Sequence, residues 1–190
     1  MGSADYDFRT VWRVAGTPKE VADVLGDVTG FPRWWPSVYL GADPASGAPD
    51  ATGPGLPRPA ALHTKGWLPY TLRWTVTVTE PVTARGFALT AAGDLFGTGR
   101  WTFEQDGPET VITYHWRVRA AKLLLRRLSW LLKPVFAANH HWAMARGEES
   151  LALELRRRRH PDRPEAVPPP PPPTFRRLAH LLETGRLHND

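Results

Sequence analysis

The stretch TVITYHWRVR, Thr110–Arg119, sets Ile112, Tyr114, Trp116 and Val118 against Val111, Thr113, His115, Arg117 and Arg119. That alternation has the period of two of a β-strand with one covered face. The period then changes. Ala121–Leu132 and Pro134–Arg159 show no alternation, and in the second segment Phe136, His140, Ala143 or Met144, Gly147, Leu151 and Leu155 recur every three or four residues. Such spacing lays a less polar stripe along one side of a helix, about 39 Å long if residues 134–159 are helical throughout. A half-covered strand leading into a long striped helix implies a helix packed on a sheet.

The rest of the chain supplies the sheet. Tyr70–Glu80 turns Tyr70, Leu72, Trp74, Val76 and Val78 to one face and Thr71, Arg73, Thr75, Thr77 and Thr79 to the other. Leu62–Leu68, Arg85–Ala91 and Leu95–Gln105 read as further strands, the last two joined at Gly93-Asp94, and Val38–Ala42 as a short one. At the N-terminus Tyr6, Phe8, Thr10, Trp12 and Val14 alternate with Asp7, Arg9, Val11 and Arg13. This is the pattern of an antiparallel sheet covered on one side. Thr17-Pro18-Lys19-Glu20 forms a capping box with proline at the first helical position, opening a helix that carries Val21, Val24, Leu25 and Val28. Thr29–Pro36 reads as a second short helix or a turn, and residues 43–60 as a long mobile loop. The expected class is α+β: two short helices after the first strand, about six to seven strands, and a long C-terminal helix.

Composition bounds the function. The chain has 190 residues, 42% of them hydrophobic, enough for one domain and a tail. A composition break at His160-Pro161 and the run Pro168–Pro173 divide it into a domain of residues 1–160 and a proline-rich linker with a short amphipathic helix, residues 161–190. In the latter, Phe175, Leu178, Leu181 and Leu182 share one side. The absence of cysteine excludes a disulfide scaffold, thiol catalysis and thiolate metal sites. With no signal-like N-terminus and no apolar run of about 18 residues, a soluble, cytoplasmic protein is expected. No HExxH, G-x-S-x-G, P-loop or dinucleotide fingerprint occurs, so no metal and no cofactor are expected.

The order of elements resembles the helix-grip fold of the START-like, or SRPBCC, superfamily, in which a curved antiparallel sheet wraps a long C-terminal helix and leaves a cavity between them. Three stretches are similar to its polyketide cyclase/dehydrase-like branch: Phe31–Pro36 (FPRWWP), Gly93–Trp101 (GDLFGTGRW) and Asn139–Gly147 (NHHWAMARG). The resemblance spans roughly residues 5–158. It implies an apolar small-molecule ligand, lipid-like or polyketide-like, between sheet and helix. It leaves catalysis open, because the superfamily holds carriers, receptors and cyclases on one scaffold.

Candidate site residues follow from the two inner faces. Trp34, Trp35, Tyr70, Trp74, Trp101, Trp116 and Met144 are the residues expected to line an aromatic pocket, although an ordinary core uses the same types. Asn139 and His140 lie on the helix stripe. His140, expected to titrate near neutral pH, is the candidate general acid or base of a cyclase or dehydrase; the other reading is a buried side chain bonded to a strand end or water. Asp94 reads as a turn residue or as a group meeting His140 or an arginine at the pocket mouth. Gly97 and Gly99 imply curvature or room for ligand, and Gly147 a close approach of the sheet.

Charge adds little. Residues 1–95 carry 8 Lys and Arg against 9 Asp and Glu, and residues 96–190 carry 16 against 10. Arg156–Arg159 suits the C-terminal end of a helix, and no nucleic-acid partner is expected. Ala121–Leu132, AKLLLRRLSWLL, is basic and amphipathic, and either packs across the cavity mouth or docks peripherally on an anionic membrane. The oligomeric state is left open.

Overall fold

The structure, a computed structural model, describes residues 5–45, 56–120, 129–163 and 166–174. Strand β1 (Asp5–Ala15) leads through the capping box to helix α1 (Pro18–Leu25), where the Thr17 hydroxyl accepts from the Glu20 amide and the Glu20 carboxylate accepts from the Thr17 amide at 2.8 Å. A 3-10 turn (Val28–Gly30) and the single-turn helix α2 (Phe31–Trp34) follow. Six strands come next: β2 (Tyr39–Pro44), β3 (Ala60–Lys65), β4 (Thr71–Val78), β5 (Gly86–Gly93), β6 (Leu95–Asp106) and β7 (Glu109–Ala120). Helix α3 (Ser129–Arg159) closes the domain.

All seven strands form one antiparallel sheet in the order β1-β7-β6-β5-β4-β3-β2. The register puts alternating apolar residues on one inner face. Phe8 pairs with Trp116, Trp12 with Ile112, and Trp101 with Tyr114. This is the helix-grip arrangement, the sheet curving around α3. The two ends of the helix differ in packing. Toward its C-terminus Leu151 and Leu155 are fully buried, as are Val21, Val24 and Leu25 of the adjoining α1. Buried Glu154 accepts from Arg157 and Arg158 and pairs with Arg33 of α2 at 2.9 Å, tying α2 to the helix. Burial opposes ionisation of Glu154, but the Arg158 hydrogen bond and its other guanidinium partners outweigh it and hold the carboxyl below its ordinary pKa. Toward its N-terminus α3 stands off the sheet and leaves a cavity.

Several expectations need correction: the strand expected over Leu62–Leu68 is β3, which ends at Lys65 and leaves Trp67 and Leu68 in the loop to β4, and Val28 lies in the 3-10 turn rather than on α1. Pro134 does not begin the long helix: α3 already runs from Ser129, and the proline sits inside its second turn. An interior proline is tolerated near a helix start because few amide donors there have an intrahelical acceptor to lose. Gly147 admits the Trp35 ring rather than the sheet, since a Cβ on Gly147 would fall within the van der Waals envelope of that indole. The loop of residues 43–60 falls largely outside the described residues, as do the expected membrane-docking segment up to residue 128 and the tail helix from residue 175. Residues 166–174 lie against the domain: Val167 is buried, and Thr174 bonds to the end of β3. No helix of the described residues is long and apolar enough to cross a membrane.

Candidate ligand-binding cavity

Between the sheet and the first half of α3 lies a cavity of about 180 Å³. Its floor is the inner face of the sheet, with Trp74 on β4 and Tyr114, Trp116 and Val118 on β7. Tyr6 and Phe8 of β1 form one flank, and Trp35, Val38 and Tyr39 the other. The roof is Phe136, Asn139, His140, Ala143 and Met144 of α3. Lys65 at the end of β3 and Gly66 and Tyr70 of the β3–β4 loop complete the lining. The volume exceeds the ~150 Å³ of an apolar cavity that takes up benzene, and falls short of the ~300 Å³ at which drug-sized ligands begin to be enclosed. It has room for a flat or compact apolar group of about one or two rings.

The polar groups on this wall are uncharged or committed. Asn139 Oδ1 accepts from the amides of Trp67 and Leu68 at 2.9 and 3.3 Å, fastening the β3–β4 loop to α3. The Trp74 indole donates to the Thr64 hydroxyl at 3.0 Å. His140 stacks on Phe8 with ring centroids 4.0 Å apart, and its Nε2 is sealed from solvent without a hydrogen-bond partner. Burial, aided by neighbouring His141, pushes the His140 pKa from 6.5 down to about 4. The expectation of titration near neutral pH is therefore corrected, because a proton would put a charge in a site largely withdrawn from water and close to a second imidazole. Burial also drives the phenols of Tyr39 and Tyr114 far above their usual range, and that of Tyr70 up to about 12. Lys65 is the one charged residue on the wall, and no carboxylate lines it among the described residues.

The structure brings Trp35, Tyr70, Trp74, Trp116, Asn139, His140 and Met144 together around this cavity. It places three other candidates elsewhere. Trp34 is fully buried in the core against Phe31 and Trp35 and does not line the cavity. Trp101 points to the same inner face but is covered by Trp12 and stacked on Tyr114 at 3.9 Å, so it is solid core beyond the cavity floor. Asp94 stays at the β5–β6 turn, where its carboxylate accepts from the Arg73 amide and its own amide donates to the Arg73 carbonyl, both at 2.9 Å. Those two bonds pin the β5–β6 turn to β4. Gly99 lies under the Tyr114 ring, and a Cβ on Gly97 would meet the β7 backbone, so these glycines admit protein and not ligand. Residues missed as candidates include Tyr6, Phe8, Tyr39, Tyr114 and Phe136. Tyr6, Phe8 and Tyr114 occupy inner positions of the alternating strands, a signal already in the pattern. Lys65 and Gly66 carry no such signal.

The sequence model of the family described as polyketide cyclase/dehydrase and lipid transport matches residues 6–156. No curated protein matches the chain in sequence. Among solved structures the fold is similar to that of the Zhui aromatase/cyclase from Streptomyces sp. R1128, at a TM-score of 0.61 and 17% identity, covering 81% of this chain and 95% of that one. A START superfamily protein from Mycobacterium smegmatis gives 0.59 and 14%, covering 80% and 97%. A STAR-related lipid transfer protein from Xanthomonas axonopodis gives 0.51 and 17%, covering 82% and 88%. At such identities the likeness is one of fold. The family match spans most of the chain, and the chain belongs to the polyketide cyclase/dehydrase and lipid transport family.

Proposed function

We propose that the protein binds one hydrophobic small molecule, lipid-like or polyketide-like, in the cavity between sheet and α3, and holds it without converting it. The observation that supports this reading is the chemistry of the wall: aromatic and aliphatic surface, neutral phenols, and no carboxylate among the described residues. Burial of apolar surface drives binding to such a wall, while aromatic faces favour flat groups. Proton-transfer catalysis needs a group whose pKa lies near the working pH, and His140 at about 4 is a weak base with a covered nitrogen. Native mass spectrometry of the gently purified protein tests the reading. One co-purifying apolar molecule per chain is expected, or uptake of one from a panel of flat and acyl compounds. Bare protein that takes up nothing from the panel would overturn it.

A second reading is a cyclase or dehydrase in which His140 acts as general acid or base. It draws support from the family description, from the fold shared with an aromatase/cyclase, and from the unpartnered Nε2 on the cavity roof. Under it, His140→Gln keeps the fold and cuts turnover of a poly-carbonyl substrate by about 100-fold or more. Absence of turnover in the unaltered protein across such substrates leaves the carrier reading.

A further inference from the structure

The proline run is tied to the domain at both ends. At one end Arg157, near the end of α3, donates to the Pro168 carbonyl at 3.2 Å, beside buried Val167. At the other, the Thr174 hydroxyl donates to the Gly66 carbonyl at 3.1 Å, and Lys65 Nζ donates to the Thr174 carbonyl at 2.8 Å. Six extended residues at ~3.1 Å each span about 19 Å, so the segment carries the chain from the last turns of α3 back to the β3–β4 loop on the cavity wall. Proline has no amide to donate, and the strap bonds through its carbonyls until Thr174 supplies a hydroxyl.

Lys65 and Gly66 line the cavity, and the loop they begin contributes Tyr70 to the wall. From the helix side Asn139 holds that loop by the Trp67 and Leu68 amides. From the strap side Thr174 holds its first carbonyl. We propose that residues 166–174 form a latch on the cavity: Thr174 seated on Gly66 keeps the 66–70 loop closed, and ligand exchange requires the strap to lift. The proposal rests on the reading that the cavity binds an apolar ligand. A proline run stays extended when detached, so the latch re-seats with little ordering to do and acts as a stiff arm rather than a slack tether.

Two full-length variants test it, Thr174→Val, which removes the hydroxyl, and Pro170→Gly with Pro172→Gly, which softens the arm. In ligand-free protein, hydrogen exchange at the Trp67, Leu68 and Tyr70 amides is expected to rise about 10-fold in both, while exchange at Leu151 and Leu155 stays unchanged. By stopped flow, association and dissociation of an apolar environment-sensitive dye should each speed up about 5-fold or more, with Kd changed less than about 3-fold, the signature of a gate. Unchanged loop exchange overturns the latch, and so does faster loop exchange with unaltered dye kinetics. A dye that binds none of the proteins sinks the ligand reading, and loop exchange still decides whether the strap holds the loop.

Discussion

A half-buried imidazole stacked on Phe8, with its Nε2 closed off from water, is protonated only at a cost, and this shapes the pH dependence of stability. Unfolded, His140 binds a proton near its ordinary 6.5; folded, it does so only near 4. The depressed value means that its contribution to stability is complete above about pH 6.5 and is lost as pH falls through about 4. The difference corresponds to about 3 kcal/mol. Urea unfolding at stepped pH should therefore show the protein losing stability between pH 6.5 and 4, and His140→Phe should flatten that slope. Equal slopes in both proteins would show that the ring is accessible to a proton. Glu20, held near 2 by Arg159 and Thr17, and Glu154 act at lower pH, so the difference between the two proteins isolates His140. The sequence places His140 on the correct side of the helix. Its depth is not readable there, because it depends on Phe8, which lies 132 positions earlier in the chain.

Among the elements, the junction of α2 and α3 is closely constrained. Trp35 is wedged among Trp12, Trp34, Phe31 and Tyr39, and its indole lies where a side chain at residue 147 would go. In an unobstructed helix Gly→Ala gains about 1 kcal/mol. Here the new methyl must push aside a ring packed against four aromatic side chains, which costs about 1–3 kcal/mol beyond that gain. Gly147→Ala is therefore expected to lower the urea midpoint with an unchanged m value, and a stabilised variant would show that Trp35 yields. Adjacent tryptophans at the end of α2 also show where sequence reading stops. Trp34 and Trp35 share composition and neighbourhood, yet one turns into solid core and the other onto the cavity wall. Their divergence comes from the chain leaving helical geometry at Trp35, with φ −125° and ψ 52°.

At the scale of the molecule, the sheet faces and the α3 stripe were legible because burial of one face imposes a period, two on strands and 3.6 on helices. How far the helix stands off the sheet along its length has no period. Trp101 and Trp116 alternate alike, but Trp12 fills the space over the first and the cavity opens over the second. The proline run is equally legible as an extended segment, and its docking on Gly66 is not, since two hydrogen bonds to carbonyls leave no compositional trace.

Met144, buried on the cavity roof, is the place to test whether an apolar ligand sits under the N-terminal half of α3. Titration of an apolar environment-sensitive dye into the protein and into Met144→Trp, read by fluorescence at equal concentration, measures whether that space is the binding site. Saturable 1:1 binding to the unaltered protein is expected, with affinity at least about 10-fold weaker once the larger side chain fills the cavity. Equal saturable binding by both proteins, with Met144→Trp folded, would place the ligand elsewhere and contradict the proposed site.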